Sequence, residues 1–263
     1  SITLTSPDIF STASVSFNND STAGNAVITN TLNAGVHFRN SSTAGNAQIT
    51  SNGSNLTASF AGTSDAGHAT FTRNTGTMTI DFTQSSSADH VTINGGTARF
   101  FHTSTAANAS LNNGAVAELY FTATLGNATL TNSGAIFFDT TSAGNAVINT
   151  DRGVWFAGIS TAANATITGN ATSNLLFDVG SNAGNATITS NGGLIEFTGS
   201  NTAANATITT NSNAYLRFAG ESTAGNARII NNASLVDFSR SFGPNRDQRL
   251  SVGSIEGSGR FLL

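Results

Sequence analysis

Two histidines, His68 and His90, are the residues best suited to metal chemistry in this sequence. They lie 22 residues apart, and Asp65 and Asp89 are close to them in the chain. Imidazole and carboxylate groups are common metal ligands, so these residues form a candidate metal site. The alternative is that each histidine replaces an asparagine in a tolerant turn, because an imidazole nitrogen can also donate or accept a hydrogen bond. The second interpretation is favoured, and we expect no metal and no cofactor.

Acidic residues are the next candidates for chemistry, because hydrolysis of a glycan usually needs clustered carboxylates in a groove. Glu196, Arg217 and Asp237 occupy equivalent positions in successive repeats, which predicts a surface ladder of alternating charge. Asp139 and Asp178 are predicted to lie two repeats apart. No Ser/His/Asp set or Gly-rich phosphate loop has a diagnostic spacing. We therefore expect no catalytic residue and no enzyme activity. A polysaccharide-active enzyme that uses Asp139 and Asp178 is the alternative.

Aromatic and hydroxyl side chains suggest binding instead. Trp155 is predicted to share an outward column with Glu196, and together with Tyr120 and Tyr215 it could stack on a sugar ring. Threonines recur as Thr-x-Thr pairs on the predicted outer face. A flat threonine lattice is typical of ice-binding solenoids, but threonine also simply suits exposed strand positions. The pairs are 70/72, 129/131, 166/168, 187/189 and 207/209.

These residues sit in an internal repeat, which is the strongest signal in the sequence. The segment Ser-Thr-Ala-Gly-Asn-Ala occurs at 21–26, 42–47 and 222–227, and looser copies fill the space between them. The central position recurs every 18 to 22 residues. It is predicted to form a structural ladder in which side-chain amides bond to the backbone and to each other. Its asparagines are Asn25, Asn46, Asn108, Asn127, Asn145, Asn164, Asn185, Asn205 and Asn226.

Each copy predicts two short strands. One and three residues after the central position the side chains are apolar, as in Ala47 and Ile49, while the residues between them are polar. Such alternation places the apolar residues on one face of a strand. A second strand is predicted to end at phenylalanine in each copy. In one copy this residue is taken as Phe121, with Leu119 two positions earlier, and in the next copy as Phe137 or Phe138.

A two-strand unit cannot bury its apolar face alone, so successive copies must stack. The predicted fold is all-β: a single right-handed parallel β-helix of about 11–12 rungs with roughly 20 residues each. An antiparallel up-and-down arrangement would need alternating strand directions, which one repeated register does not favour. Residues 1–20 are predicted to form an N-terminal cap or first rung, 21–240 the repeats, and 241–263 a C-terminal cap or junction. The two prolines, Pro7 and Pro244, lie outside the repeats.

Composition narrows the possible functions. Only 9% of the residues are charged, there is no Cys and no Lys, and the net charge is −4. A disulfide framework is excluded, and nucleic acid is not expected as a partner because a basic surface is missing. The chain begins at Ser1 without a leader, so we expect a processed product or an excerpt.

The repeated Ser-Thr-Ala-Gly-Asn-Ala-x-Ile-Thr-Asn unit and the segment 251–259 (Ser-Val-Gly-Ser-Ile-Glu-Gly-Ser-Gly) resemble passenger domains of bacterial autotransporters, the type V secretion proteins. The resemblance covers about residues 21–263. It implies a secreted or cell-surface scaffold outside the Gram-negative outer membrane, attached only through a translocator that follows in the family. Surface glycans or host receptors are then the expected partners. Head-to-tail self-association into a filament is the alternative.

Overall fold

The structure is a computed structural model and describes residues 1–8, 10–170 and 172–263. The chain divides into two compact units, Ser1–Thr131 and Asn132–Leu263, and each is a stack of parallel strands. The predicted all-β fold of stacked parallel sheets is confirmed. The two units together contain about 12 solenoid turns with a spacing of roughly 21 residues.

The first unit contains two parallel sheets, and successive turns of the chain add one strand to each. Its odd-strand sheet contains β1 (Ile2–Leu4), β3 (Val27–Asn30), β5 (Gln48–Ser51), β7 (Thr70–Arg73), β9 (Thr92–Asn94), β11 (Ser110–Asn112) and β13 (Thr129–Thr131). Its even-strand sheet contains β2 (Ala13–Phe17), β4 (Asn33–Phe38), β6 (Asn55–Phe60), β8 (Thr77–Phe82), β10 (Thr97–Phe100) and β12 (Val116–Leu119).

The second unit repeats this plan. Its odd-strand sheet contains β15 (Val147–Thr150), β17 (Thr166–Gly169), β19 (Thr187–Ser190), β21 (Thr207–Thr210), β23 (Arg228–Asn231) and β25 (Ser254–Gly257). Its even-strand sheet contains β14 (Gly134–Phe137), β16 (Val154–Phe156), β18 (Asn174–Phe177), β20 (Gly193–Phe197), β22 (Ala214–Gly220), β24 (Leu235–Ser241) and β26 (Arg260–Leu262).

The core of each unit consists of columns of identical or similar side chains, because strand register places equivalent residues on top of each other. In the first unit Phe60 stacks between Phe38 and Phe82, at ring-centroid distances of 4.6 and 4.8 Å. In the second unit Phe177 stacks between Phe156 and Phe197 at 4.8 and 4.4 Å. These side chains are fully buried. Each such burial contributes roughly 1.5–3 kcal/mol, so the columns dominate the stability of the stack.

The assignment of Phe121 to the phenylalanine column is wrong. Leu119 pairs with Phe100 and fills the column, with Ala117 in the position that had been assigned to Leu119. Phe121 lies in the following turn at φ 61° and is 51% exposed. The reason is residue type, because the prediction looks for a phenylalanine at the end of the strand and this rung places leucine there. The spacing is ordinary, since eight positions separate Leu111 from Leu119 and eight also separate Ile148 from Phe156.

Phe137, and not Phe138, completes the column of the second unit, since it pairs with Phe156 at a ring-centroid distance of 4.3 Å. Phe138 instead lies outside the column and meets the Trp155 ring edge-on at 5.9 Å. The sequence alone left this choice open because both residues are phenylalanine.

A buried hydroxyl column was missed by the sequence analysis. Ser42, Ser64 and Ser104 are buried in the first unit. Their Oγ atoms donate to the backbone carbonyls of the phenylalanines one rung earlier, at 3.2–3.4 Å. In the sequence, a serine next to the repeated threonine resembles an ordinary turn residue. Only its burial in the structure identifies this column.

A residue in the left-handed backbone conformation forms one corner of each rung that carries a member of the asparagine column, counting His68 and His90. The residue before each member of the column has φ between 49° and 63°. In most of these rungs its backbone N–H donates to the hydroxyl two residues earlier, as from Ala204 to Thr202 Oγ1 at 2.9 Å. Most of these rungs use glycine here, but Asp89, Ala107, Ala163 and Ala204 do not. A Cβ at this φ is strained by about 1–2 kcal/mol.

We therefore expect Ala204→Gly to stabilise the protein by about 0.5–1 kcal/mol, because relief of strain exceeds the entropy cost of glycine. Urea denaturation measures the change. Ala203→Gly is the matched control. Ala203 is buried, so the same substitution one residue earlier should destabilise the protein by about 1 kcal/mol. A loss of stability in both variants would contradict the strain.

The terminal segments also contain rungs. Within residues 1–20, β1 pairs with β3 and β2 pairs with β4. After β24 the chain forms a loop and returns as β25 and β26. A cavity of about 440 Å³ lies beside this loop, lined by Phe238, Phe242, Leu250, Val252 and Ile255 among others.

Candidate functional surface

The outer face of the odd-strand sheets presents regular columns of hydroxyl groups. In the second unit Thr166, Thr187 and Thr207 are in register on β17, β19 and β21. Thr168, Thr189 and Thr209 form a parallel column two residues further along the same strands. Strand geometry sets the spacing of this grid at about 4.8 Å between rungs and about 6.6 Å along each strand. The grid ends at Arg228 and Ile230 on β23.

The first unit has a related face, whose two hydroxyl columns are offset along the stack. Thr70 pairs with Thr92, Thr92 with Ser110, and Ser110 with Thr129, so one hydroxyl column extends over β7, β9, β11 and β13. In the neighbouring column Thr29, Thr50 and Thr72 are in register, and the next residue is Asn94. Each face presents small hydroxyl groups together with threonine methyl groups, and such a surface can bind ordered hydroxyl groups of a partner through many weak contacts.

The asparagine column forms side-chain hydrogen bonds along both units. Each Nδ2 donates to the Oδ1 of the asparagine one rung earlier. The bonds join Asn46 to Asn25 (3.2 Å), Asn127 to Asn108 (3.3 Å), Asn164 to Asn145 (3.2 Å), Asn185 to Asn164 (3.2 Å), Asn205 to Asn185 (3.2 Å) and Asn226 to Asn205 (3.3 Å). These side chains are exposed. Their geometry is that of a ladder which ties successive corners together.

The two candidate metal ligands stack in this column. The His68 and His90 rings lie 4.8 Å apart and nearly parallel, at 22°. His90 Nδ1 lies 2.8 Å from the Asp89 carboxylate, whereas Asp65 accepts from Thr43 Oγ1 at 2.6 Å. Among the described residues, no group of three or more His, Cys, Asp or Glu side chains is arranged to hold a metal ion.

The outer face of the even-strand sheet carries charge ladders. Arg217 forms an ion pair with Glu196 on one side, with Nε donating at 2.7 Å, and is in register with Asp237 on the other. The first unit contains a second ladder that the sequence analysis missed. There Arg99 binds Asp81 through two hydrogen bonds of 2.6 and 2.7 Å. The signal was available, since both residues directly precede a phenylalanine of the column.

Asp237 is the most enclosed carboxylate of these ladders. It accepts from Ser239 Oγ at 2.6 Å, from the Ser239 backbone N–H at 2.9 Å, and from Tyr215 Oη at 2.6 Å. Burial acts to raise the pKa of Asp237, but these hydrogen bonds outweigh it and the pKa lies below its ordinary value.

We expect Asp237→Asn to lower the free energy of unfolding at pH 7 by about 1–3 kcal/mol, because hydrogen bonds to a charged group are lost. A carboxylate with a depressed pKa stabilises the fold above its ordinary pKa of about 4 and loses this effect as the pH falls through its folded-state pKa. The difference between the two proteins should therefore shrink as the pH falls below the ordinary pKa of about 4. Urea denaturation at several pH values tests this, with the exposed Asp20→Asn as control. A constant difference would show that the charge is not the cause.

Asp139 and Asp178 do not share a column. Asp178 directly follows Phe177 and accepts from Thr198 Oγ1 at 3.3 Å. Asp139 lies two residues after Phe137, in a turn at φ 54°, where its backbone carbonyl accepts from Ile159 N–H at 2.8 Å. Asp139 and Asp178 are offset by one residue relative to the phenylalanine column, because Phe137 and not Phe138 occupies it.

The three predicted sugar-stacking residues are in different surroundings. Trp155 lies on the outer face of β16, in register with Leu176 of β18, and Leu176 is in register with Glu196. Tyr215 lies in another column, opposite Leu194, and donates to Asp237. In the first unit Tyr120 stacks on Phe101 at 4.9 Å.

His37 forms a polar contact between rungs that the sequence analysis does not identify. Its Nδ1 lies 2.8 Å from Ser59 Oγ in the next rung. Burial lowers the pKa of His37, and the nearby charge of Arg39 lowers it further. Gly35 provides the space for the ring, since an added Cβ there would lie 2.7 Å from the His37 Nε2 atom.

Within the part of the chain that the structure describes, no helix is long and apolar enough to cross a membrane. No protein-family model, curated protein or solved structure matches the chain.

Proposed function

We propose that this chain is a structural and adhesive β-solenoid that acts outside the cell, as passenger domains of autotransporters do, and that it binds glycans without catalysis. The observation that carries the proposal is the threonine grid of the second unit. Six threonines from β17, β19 and β21 lie in register on one outer face.

Regular hydroxyl spacing suits a regular partner. An extended polysaccharide presents hydroxyl groups at repeated intervals and can meet several rungs at once. Each exposed contact is weak because water competes for both groups. Contacts that form together on one chain nevertheless add through a high effective concentration. The predicted binding mode is thus multivalent and depends on the length of the glycan.

The proposed location has two supports. The near-identical Ser-Thr-Ala-Gly-Asn-Ala copies are the feature that resembles autotransporter passengers. The low charge and the polar, uncharged outer columns suit a surface that faces extracellular sugars. Protease accessibility of the chain in intact cells that produce it tests this location.

Incubation of the purified chain with immobilised plant, bacterial and host polysaccharides tests the function, with both retained protein and newly formed chain ends measured. Retention without new ends is the expected result. New ends would make the protein an enzyme and would direct attention to Asp139 and Asp178. No retention on any glycan would overturn the adhesive proposal.

The double variant Thr187→Arg/Thr207→Arg tests the grid directly, because Arg228 already occupies the same column and shows that arginine fits there. Retention should fall at least about 10-fold, since two bulky charges prevent close approach. Leu235→Arg is the matched control on the even-strand sheet, where Arg260 is the register partner of Leu235. Equal retention of both variants would exclude the grid as the binding face.

The same grid favours a second candidate, ice binding, because ordered water is also a lattice of hydroxyl groups. Thermal hysteresis of the purified chain tests this directly. A freezing-point depression that the Thr187→Arg/Thr207→Arg variant loses would assign the grid to ice. Freezing behaviour identical to that of a non-binding protein at equal concentration would exclude this function.

A further inference from the structure

Trp155 forms an aromatic platform on the even-strand sheet of the second unit. It lies between two buried residues of β16, Val154 and Phe156, and faces outward with 38% of its surface exposed. Its register neighbours Ile136 and Leu176 are also apolar. The Phe138 ring meets the indole at 66°, with 5.9 Å between the ring centroids. Four apolar side chains thus form a patch on the outer face of this sheet.

One side of the platform carries no side chain. Gly153 lies two residues before Trp155, and the residue at the equivalent position one rung later is Asn174. Gly153 does not have a positive φ, and an added Cβ would meet only the Asn174 carbonyl oxygen, at 3.7 Å. Neither backbone conformation nor packing therefore requires glycine here. Gly153 leaves the surface beside the indole open to a ligand.

Polar groups flank the platform on the next rung. Asn174 and Asp178 lie two residues before and after Leu176 on the outward side, each about 7 Å from it along the strand. Asn174 is exposed, and the Asp178 carboxylate accepts a hydrogen bond from Thr198 Oγ1. An amide and a carboxylate are thus placed on either side of an apolar strip, and both can bind hydroxyl groups.

We infer that this patch is a binding site for a neutral, β-linked hexopyranose chain. The C–H face of a flat pyranose ring packs on an exposed indole, while its equatorial hydroxyl groups point sideways toward hydrogen-bonding groups. Asn174 and Asp178 lie where such groups would be. Acidic residues outnumber basic ones around the patch: Asp139, Asp151 and Asp178 stand against Arg152, and Glu196, in register with Leu176, is paired with Arg217. This balance disfavours an acidic sugar. This inference rests on the proposed glycan-binding function and assigns it a specific site, separate from the threonine grid.

Trp155 is the only tryptophan of the chain, so intrinsic fluorescence reports on this site directly. Titration with cellohexaose, a soluble neutral β-linked oligosaccharide, should change the emission in a saturable way and protect the indole from acrylamide quenching. A β-1,4-linked oligoglucuronate of the same length is the acidic comparison and should bind at least about 10-fold more weakly. Tighter binding of the acidic oligosaccharide would overturn the neutral ligand class.

Two variants test the site by calorimetry. Trp155→Ala removes the platform, and Gly153→Tyr covers it with a side chain that the local space accepts, as Tyr215 shows two rungs beyond Asn174. Both should weaken cellohexaose binding at least about 10-fold. Thr57→Tyr, at the same strand position in the first unit, is the matched control and should bind as the unmodified chain does. Circular dichroism before titration confirms that each variant is folded.

The outcomes separate this inference from the proposed function. Unchanged fluorescence, together with undiminished glycan binding by both variants, would overturn the Trp155 site and leave the adhesive function standing. No binding of any glycan by the unmodified chain would overturn both. Loss of cellohexaose binding in both variants, with retention on polysaccharide still sensitive to Thr187→Arg/Thr207→Arg, would establish two separate binding faces.

Discussion

Replacing Phe60 with alanine is expected to lower the free energy of unfolding by about 3–5 kcal/mol. Phe60 is fully buried, stacks on Phe38 and Phe82, and meets Phe71 edge-on at 6.2 Å. The substitution removes apolar contacts on three sides. The cavity cannot collapse easily, because the backbones above and below are fixed by the parallel ladder. Equilibrium denaturation in urea, followed by circular dichroism, measures the loss.

Phe10→Ala is the matched control for this prediction. The Phe10 side chain is 90% exposed, so the same chemical change should alter stability by less than about 0.5 kcal/mol. A loss below about 1 kcal/mol for Phe60→Ala would mean that the phenylalanine column does not carry the packing energy assigned to it.

Proline at position 187 is expected to be the most disruptive change on the outer surface. Thr187 N–H donates to the Ala165 carbonyl at 3.0 Å, and β19 is paired on both sides, with β17 and β21. Proline removes this donor and leaves the Ala165 carbonyl unpaired. Its ring also occupies space beside the neighbouring strand. We expect a loss of about 3 kcal/mol or more, measured by thermal and urea denaturation.

Thr187→Val separates this backbone effect from the side chain. Valine keeps the N–H group and has similar shape and strand propensity, so stability should change by less than about 0.5 kcal/mol. If proline and valine had similar effects, the parallel ladder would not be continuous at this rung.

The fold could be predicted because the inward positions repeat in type as well as spacing. Ala47 and Ile49 recur with conservative changes in every copy, so one register satisfied the whole sequence. The prediction failed at Phe121, because it followed residue type and this rung places a leucine, Leu119, in the phenylalanine column. Sequence periodicity indicates which residues alternate between the two faces, but it does not indicate where each strand ends. The length of each corner depends on how the next rung pairs, and a single sequence does not contain that information.

The outer surface was predicted less completely, for a related reason. The threonine columns and the Glu196–Arg217 pair follow from register, and both were expected. The contact of His37 with Ser59 depends on the space above Gly35, and the open surface beside Trp155 depends on Gly153. Both features depend on a glycine, which leaves space where another residue would have a side chain. This space is seen only when neighbouring rungs are placed together in the structure.

The chemical uniformity of the columns has a consequence for how such a protein can change over generations. Because Ile167, Ile188 and Ile208 are interchangeable in their stack, a duplication or loss of one whole repeat would join surfaces that already match. Recombination between the nearly identical copies would then alter the length of the protein in steps of one rung. The area of the outward grid would change, while the pattern it presents would stay the same. Reach and avidity could thus evolve without any new fold.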